Sequence, residues 1–194
     1  MAGSIGGGAT TYAWTHDGGG LFANPAIAAA VYTPVAGDVG TTVTMTLTTD
    51  ATSECPAAVD MMTVTFDAQP TADAGSDQTI CETTTSIMLS GTVGGGVSSG
   101  TWTTSGTGTF INDLALSTEY TPSAADITAG SVTLTITTPS NGTCLAASDD
   151  MVLTIEDLPT AEAGPDQAVC DITAVTMAGS IGGGATTYAW THDG

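Results

Sequence analysis

The sequence contains no lysine and no arginine. Its twenty aspartates and glutamates give a formal net charge of −20 at pH 7, although charged residues make up only 10% of the 194 residues. A chain without cations has no electrostatic footprint for nucleic-acid phosphates and is repelled by anionic membrane surfaces. It also lacks an arginine clamp for phosphorylated or carboxylate substrates. We therefore expect no nucleic-acid partner and no membrane insertion.

Other features that define common functional classes are missing as well. No segment approaches the roughly 20 apolar residues needed to span a bilayer. Residues 2–8 read AGSIGGG and have neither the basic nor the apolar region of a signal peptide. The glycine-rich stretches GSIGGGAT and TVGGGVSSG contain no lysine and precede strand-like segments, so they do not predict a phosphate-binding loop. With no nucleophile motif either, we expect no catalytic residues and no enzyme activity.

The sequence is built from repeats. Residues 1–18 and 177–194 are identical, at an offset of 176, and PTADAGSDQTIC (70–81) recurs with changes as PTAEAGPDQAVC (159–170). Other residues recur about 88 positions apart, among them Trp14, Trp102 and Trp190, Tyr32 and Tyr120, Asp38 and Asp126, and Cys55 and Cys144. The pattern predicts a module of about 88 residues, and a larger cassette of two slightly different modules.

The repeat sets the expected domain boundaries. Residues 70–158 form one complete module, 1–69 the C-terminal part of a preceding module, and 159–194 the N-terminal part of the next. We therefore expect the sequence to be an excerpt from a longer tandem array. The alternative is an artificial sequence that wraps one repeat onto itself.

The modules show strand-like sequence patterns throughout. In SVTLTITT (131–138) and TTVTMTLTT (41–49), apolar residues alternate with threonine, which is typical of a strand with one buried face. About seven short strands per module predict an all-β fold of immunoglobulin-like antiparallel β-sandwiches. The tryptophans are expected in the core rather than stacked on sugars. The threonine rows are expected to occupy the solvent-exposed face of the strands. The alternative is an ice-binding or crystal-binding surface.

Several segments together resemble a known family. They are ADAGSDQTIC (72–81), WTTSGTGTF (102–110), YTPSAADITAG (120–130), VTLTIT (132–137) and NGTC (141–144). These resemble the PKD-like or immunoglobulin-like repeats of giant secreted adhesins and extracellular filaments from gliding, type IX-secreting bacteria. The resemblance covers essentially the whole chain and implies export, a string of β-sandwiches and a filamentous appendage. The first part of the chain departs from the pattern, since THDGGGLF follows Trp14 and Pro56 follows Cys55.

The four cysteines are compatible with an oxidising exterior. Cys81 and Cys144 lie in the complete module, and we predict a disulfide bond between them. Cys55 and Cys170 occupy the same two positions in the other module type, so their partners should lie outside the sequence. Free thiols and links between modules are the alternatives. No C-x-x-C or His-Cys cluster indicates zinc.

Acidic residues gather where modules meet, and these carboxylates are candidate ligands for calcium. The candidate residues are Asp67, Asp73, Asp77, Glu156, Asp157, Glu162 and Asp166. The alternative is a solvated acidic linker with no cofactor. His16 and His192 are one repeat position seen twice and are expected to be solvated loop residues.

Together these observations predict a structural repeat of an extracellular filament or giant cell-surface adhesin, a spacer for attachment, gliding or capture of prey or surfaces. Its partners would be neighbouring modules of the same polypeptide, with lateral assembly into multi-strand filaments. Its adhesive ligand is not identified by the sequence. The alternatives are a carbohydrate-binding accessory module of a secreted hydrolase, and a short subunit of a strand-exchanged fibre.

Overall fold

A computed structural model describes residues 6–171 and 173–192. The chain divides into two compact units. The first comprises the residues up to Thr71 together with Gly94–Ser98 and Pro139–Ala146, and the second comprises Ala72–Val93, Ser99–Thr138 and the residues from Ala147 onward. Each unit contains one hydrophobic core.

Five strands lie wholly within the described part of the first unit. They are β1 Tyr12–His16, β2 Leu21–Phe22, β3 Tyr32–Thr33, β4 Thr41–Thr49 and β5 Val59–Phe66. Strand β4 lies between β1 and β5 in an antiparallel sheet, and β2 pairs with β3. Threonines face each other across the outer surface, with Thr42 opposite Thr65 and their hydroxyl oxygens 3.0 Å apart.

The second unit contains most of the complete module. Its elements, including two strands that begin or end at the unit boundary, are β6 Thr71–Asp73, β7 Gln78–Cys81, β8 Ile87–Ser90, β9 Thr92–Gly94, β10 Thr101–Thr104, β11 Thr109–Phe110, β12 Ser117–Thr121, helix α1 Ala124–Ala129, β13 Ser131–Thr137 and β14 Ser148–Glu156. One sheet has the order β10–β13–β14–β7 and the other β11–β12–β8, and β6 pairs with β9. All pairs in these two main sheets are antiparallel except β7 with β14, which is parallel. This is the two-sheet arrangement of an immunoglobulin-like sandwich, and the predicted fold class is confirmed.

Alternation along the strands places the apolar residues between the two sheets. In β13, Val132, Leu134 and Ile136 are buried while the threonines between them are partly exposed. Trp102 on β10 packs in the same core with only 1% of its surface exposed. The period-two pattern in the sequence thus predicted the buried face of these strands correctly.

The described residues after β14 contain one further strand pair. Strand β15 Thr160–Glu162 pairs antiparallel with β16 Ser180–Gly182, in the positions that β6 and β9 occupy one repeat earlier. Among the described residues, no helix has the length and apolar character needed to cross a bilayer.

Candidate functional site at the module ends

Two linkers occupy the same position in the repeat, 67–70 and 156–159. In the first unit, loop Pro139–Ala146 holds the first linker by hydrogen bonds. The Asp67 carboxylate accepts from the Thr143 amide at 2.7 Å and from its hydroxyl at 3.1 Å. The Asn141 side chain donates to the Ala68 carbonyl at 2.9 Å. The linker is therefore fixed by specific side chains of this loop.

A glycine turn also packs against the first linker. Gly95 has φ +69°, in the left-handed region that favours glycine, and a methyl group there would overlap the carbonyl of Gln69. The Gly95 carbonyl accepts a second hydrogen bond from the Asn141 side chain, at 3.2 Å. Only glycine fits this close approach without displacing the linker.

The second linker repeats part of this arrangement within the second unit. The Leu158 amide donates to the Glu82 carboxylate at 3.0 Å, and the Glu82 amide donates to the Glu156 carbonyl at 2.8 Å. Gly183, the counterpart of Gly95, has φ +61°, and a methyl group there would overlap the Leu158 carbonyl. Both linkers are thus backed by the same glycine turn.

The positions of the cysteines bear on the predicted disulfide bond. All four are free thiols. Cys81 is paired with Glu156, the last residue of β14, whereas Cys144 lies in the loop before Ser148, the first residue of that strand. A nine-residue strand is about 26 Å long at roughly 3.3 Å per residue, while bonded cysteines have Cα atoms within about 7 Å. The structure therefore does not support the predicted bond between Cys81 and Cys144.

Cys55 lies in the same type of loop as Cys144. The Thr52 amide donates to the Cys55 carbonyl at 3.0 Å, as the Asn141 amide donates to the Cys144 carbonyl at 3.1 Å. Cys170, like Cys55, is exposed. Partners for these two cysteines outside the sequence remain a prediction.

The predicted calcium ligands serve other purposes where they are hydrogen-bonded. Besides Asp67, Asp73 accepts from the Gly75 amide and Asp77 from the Val152 amide, both at 2.8 Å. Glu156, Asp157, Glu162 and Asp166 are exposed. In the described part of the chain, no three acidic, histidine or cysteine side chains come together as a metal site. The structure does not gather the candidate ligands, and calcium binding remains a prediction.

A buried tyrosine–aspartate pair is the main polar feature that the sequence pattern did not predict. Asp126 is only 2% exposed. Its carboxylate accepts from the Tyr120 hydroxyl at 2.8 Å and from three backbone amides, those of Thr107 and Gly108 at 2.9 Å and Ser123 at 3.0 Å. These bonds join the loop after β10 to the start of helix α1.

The first unit contains the same pair. Asp38 is 2% exposed and accepts from the Tyr32 hydroxyl at 2.8 Å, from the Gly19 amide at 2.7 Å and from the Val35 amide at 3.1 Å. The Gly20 amide donates to the Tyr32 hydroxyl at 2.8 Å. The recurrence in both units marks the pair as a structural element of the module.

The surroundings of these groups shift their titration. Burial opposes the charge of Asp126, but the hydrogen bonds it accepts from Ser123, Thr107, Tyr120 and Gly108 outweigh burial, so its pKa lies below the ordinary 3.8. The amides of Gly19 and Val35 are the main causes of a lowered pKa at Asp38. Burial raises the pKa of Tyr120 to about 12, and the neighbouring Asp126 adds to the shift.

The aromatic residues agree with the core prediction in two of three repeats. Trp14 is 6% and Trp102 1% exposed, whereas Trp190 is 50% exposed. Trp190 and Tyr188 line an open cavity of about 490 Å³ in the segment that carries β15 and β16. The core prediction for Trp190 is wrong here, because the described residues of this segment form only one strand pair and no second sheet covers it.

His16 also differs from expectation. It lies on β1, its Nδ1 is 3.1 Å from the Gly18 carbonyl oxygen, and its ring packs edge-on against Phe22 and Tyr32 at centroid distances of 5.4 and 4.8 Å. It is thus part of an aromatic cluster, not a solvated loop residue. His192 is exposed, as expected.

No protein-family model and no curated protein matches the chain. Among solved structures, mouse cadherin-23 EC22-24 matches with a TM-score of 0.43 and 11% identity over 77% of this chain and 54% of that one. Sidekick-1 immunoglobulin domains 1–4 match with a TM-score of 0.37 and 13% identity over 82% of this chain and 46% of that one. This chain thus spans about half the length of each. Fibronectin(III)-like modules of Clostridium thermocellum CbhA match with a TM-score of 0.32 and 10% identity, over 79% of this chain and 83% of that one.

Proposed function

We propose that this chain is part of the shaft of an extracellular filament or giant cell-surface adhesin, of the kind made by gliding, type IX-secreting bacteria. Its immunoglobulin-like modules act as spacers that hold an adhesive part away from the cell. The modules themselves perform no catalysis, and their partners are the neighbouring modules of the same polypeptide.

The observation that carries this proposal is the repeat. Residues 1–18 and 177–194 are identical while neighbouring modules have diverged, a pattern that fits duplication of a two-module cassette within a long array. In such arrays each module contacts only its neighbours, and the number of repeats sets the length of the whole. A spacer needs these properties and needs no catalytic site.

The linkers support the same role. Asp67 and Ala68 are hydrogen-bonded by the loop Pro139–Ala146, and the Leu158 amide is bonded by Glu82. Linkers held in this way lose the freedom of a flexible glycine-serine linker. The absence of basic residues leaves every module negatively charged, which favours extension at low salt.

The mass of the native polypeptide tests the proposal. Measured after reduction and denaturation, it should lie far above the 19.1 kDa of this sequence. A native mass near 19 kDa would contradict a covalent array and favour short subunits that assemble by exchanging strands.

A binding measurement separates the spacer from the alternative of a carbohydrate-binding accessory module. The 194-residue chain should show no saturable binding to insoluble or soluble polysaccharides in pull-down assays and calorimetry. Saturable binding that Trp190→Ala abolishes would favour the accessory module, because Trp190 is the half-exposed tryptophan beside an open cavity.

A further inference from the structure

The two cysteines of the complete module lie beside the two linkers that flank it. Cys144 donates its thiol hydrogen to the Asp67 carbonyl at 3.5 Å. Cys81 is the strand partner of Glu156 in the parallel pair of β7 with β14. Asp67 and Glu156 are the same repeat position, three residues before Pro70 and Pro159 respectively. Each thiol therefore lies beside the same position of a linker. Cys144 belongs to the module that follows its linker, whereas Cys81 belongs to the module that precedes its linker.

This placement has a consequence in a continuous array. The linker residue equivalent to Glu156 is flanked by the Cys81 position of the module before it and by the Cys144 position of the module after it. Neighbouring strands lie about 4.8 Å apart, so the Cα atom of Cys81 is about 5 Å from that of Glu156. Bonded cysteines need Cα atoms about 4.4 to 6.8 Å apart. Both thiols thus reach the same short stretch of backbone.

We propose that a disulfide bond crosses every module junction and joins these two positions. At the period of 176 residues, Cys81 bonds to Cys55 of the following cassette, and Cys170 bonds to Cys144 of the following cassette. The inference rests on the tandem array proposed above, but not on any adhesive role. It assigns all four cysteines to bonds and accounts for the positions of Cys81 and Cys144 at opposite ends of β14.

The local chemistry fits a thiol pair rather than a metal site. Cys81 and Cys144 are partly buried, and the Thr83 hydroxyl donates to the Cys81 sulfur at 3.3 Å. No third histidine, cysteine or carboxylate joins either of them within the described residues. The two thiols lose two protons and two electrons as the S–S bond forms. An external disulfide such as oxidised glutathione accepts them and is released as two thiols.

The spacing of the bonds adds a measurable property. Cys55 and Cys81 are 26 residues apart, and so are Cys144 and Cys170. In the oxidised array, the covalent path from one bond to the next therefore contains 26 residues instead of a whole cassette of 176. At about 3.4 Å per residue, that path extends to roughly 90 Å rather than roughly 600 Å. An oxidised array should stay compact even when its modules are unfolded.

The test uses a tandem chain in which residues 1–194 are followed by residues 19–194, so that the period of 176 is kept. The chain is refolded with oxidised and reduced glutathione, digested with pepsin because trypsin finds no lysine or arginine, and its disulfides are mapped by mass spectrometry. We expect Cys81 of the first cassette bonded to Cys55 of the second, and Cys170 of the first bonded to Cys144 of the second. On a denaturing gel, the oxidised chain should migrate faster than the reduced one.

A variant provides the control within one molecule. Cys81→Ser in the first cassette should remove the first bond and leave Cys55 of the second cassette free for alkylation, while the bond from Cys170 persists. A bond between Cys81 and Cys144 of the same cassette would overturn the inference. So would four free junction thiols after oxidation in a chain whose amide protection shows folded modules. That last result would leave the tandem spacer intact, whereas the native mass decides the spacer separately.

Discussion

The same strand has different surroundings in the two units. Met151 on β14 is 1% exposed, but its counterpart Met62 on β5 is 42% exposed. In the second unit, β7 covers the edge of β14, and β8 belongs to the opposing sheet. The described residues 6–69 contain no counterparts of β7 and β8. Burial of the last strand of a module therefore depends on strands far earlier in the chain, Gln78–Cys81 and Ile87–Ser90 in the complete module.

The tyrosine–aspartate pair is not affected by this difference. Tyr32 and Asp38 bond at 2.8 Å, as do Tyr120 and Asp126, and both aspartates are 2% exposed. The groups that bond to Asp126 all come from residues 107–123, so the network is complete without the first strands of the module. The comparison separates a local polar element from a core that needs the whole module.

The largest expected effect comes from breaking the network in the complete unit. Asp126→Asn places an amide donor among the four donors of Asp126 and should destabilise the second unit by about 3 kcal/mol. Urea unfolding followed by hydrogen exchange, read on peptic peptides of each unit, measures the loss. Asp38→Asn is the matched control and should lower protection in the first unit alone. Equal loss of protection in both units from either variant would show that the cores are not independent.

A smaller difference, about 2 kcal/mol, should separate Gly95→Ala at the first linker from its matched control. Gly7 is the matched position, since its φ is +68° against +69° for Gly95, but nothing lies within 4 Å of a methyl group at Gly7. Both substitutions cost about 1 kcal/mol of backbone strain, and Gly95→Ala costs about 2 kcal/mol more by displacing Gln69. Thermal unfolding and the rate of Asp-N cleavage at Asp67 report the difference. Equal behaviour of the two variants would mean that the linker is not held by the turn.

Replacing the two core tryptophans, Trp14 and Trp102, should reveal a smaller difference in the free energy of unfolding. The Trp102 Nε1 donates to the Leu116 carbonyl at 3.3 Å, while the buried Nε1 of Trp14 has no partner among the described residues. Trp102→Phe should therefore cost about 1 kcal/mol more than Trp14→Phe, because it also leaves a carbonyl without its donor. Chemical denaturation of the two single variants, with exchange read on each unit, checks this order. A costlier Trp14→Phe would reverse the comparison.

The pH dependence of stability separates the contribution of the aspartates from that of Tyr120. Because the folded pKa values of Asp126 and Asp38 are lowered, their stabilisation is present above the unfolded pKa near 3.8 and is lost as pH falls below it. Because the folded pKa of Tyr120 is raised to about 12, stability is complete below pH 10 and is lost as pH rises from 10 to 12. Urea midpoints from pH 2 to 12 measure both limits. Tyr120→Phe should abolish the loss of stability between pH 10 and 12 in the second unit only. An unchanged loss in that unit would show that ionisation of Tyr120 is not its cause.

The sequence alone predicted the features that depend on local pattern. The alternation of Val132, Leu134 and Ile136 predicted the buried face of β13, and the repeat predicted equivalent cores around Trp14 and Trp102. It could not predict the fate of the cysteines. Sequence spacing does not show that β7 runs parallel to β14, and this direction places Cys81 at the opposite end of the strand from Cys144.

The tyrosine–aspartate network has a signal in the sequence repeat. Tyr32 and Asp38 recur as Tyr120 and Asp126, with five residues between the partners in each case. In the sequence, an aspartate in a polar turn cannot be distinguished from a solvated one. Asp126 is buried because Tyr120 and the loop after β10 both pack and bond against it in the folded module. The structure does not bring the candidate calcium ligands together, because Asp67, Asp73 and Asp77 each accept a hydrogen bond from a different backbone amide, and those of Thr143 and Val152 lie more than 70 residues away in sequence.

The parallel pairing of β7 with β14 determines how a module responds to pulling. Tension along the polypeptide enters the complete module through the segment before β7 and leaves it through the end of β14, so it slides these two strands past each other. The register from Gln78 opposite Leu153 to Cys81 opposite Glu156 is then sheared as one group. Bonds sheared together must rupture together, whereas a hairpin pulled open from its end loses them one at a time. In the reduced array, the complete module is thus a mechanical clamp, and its lifetime under tension is set by its unfolding rate.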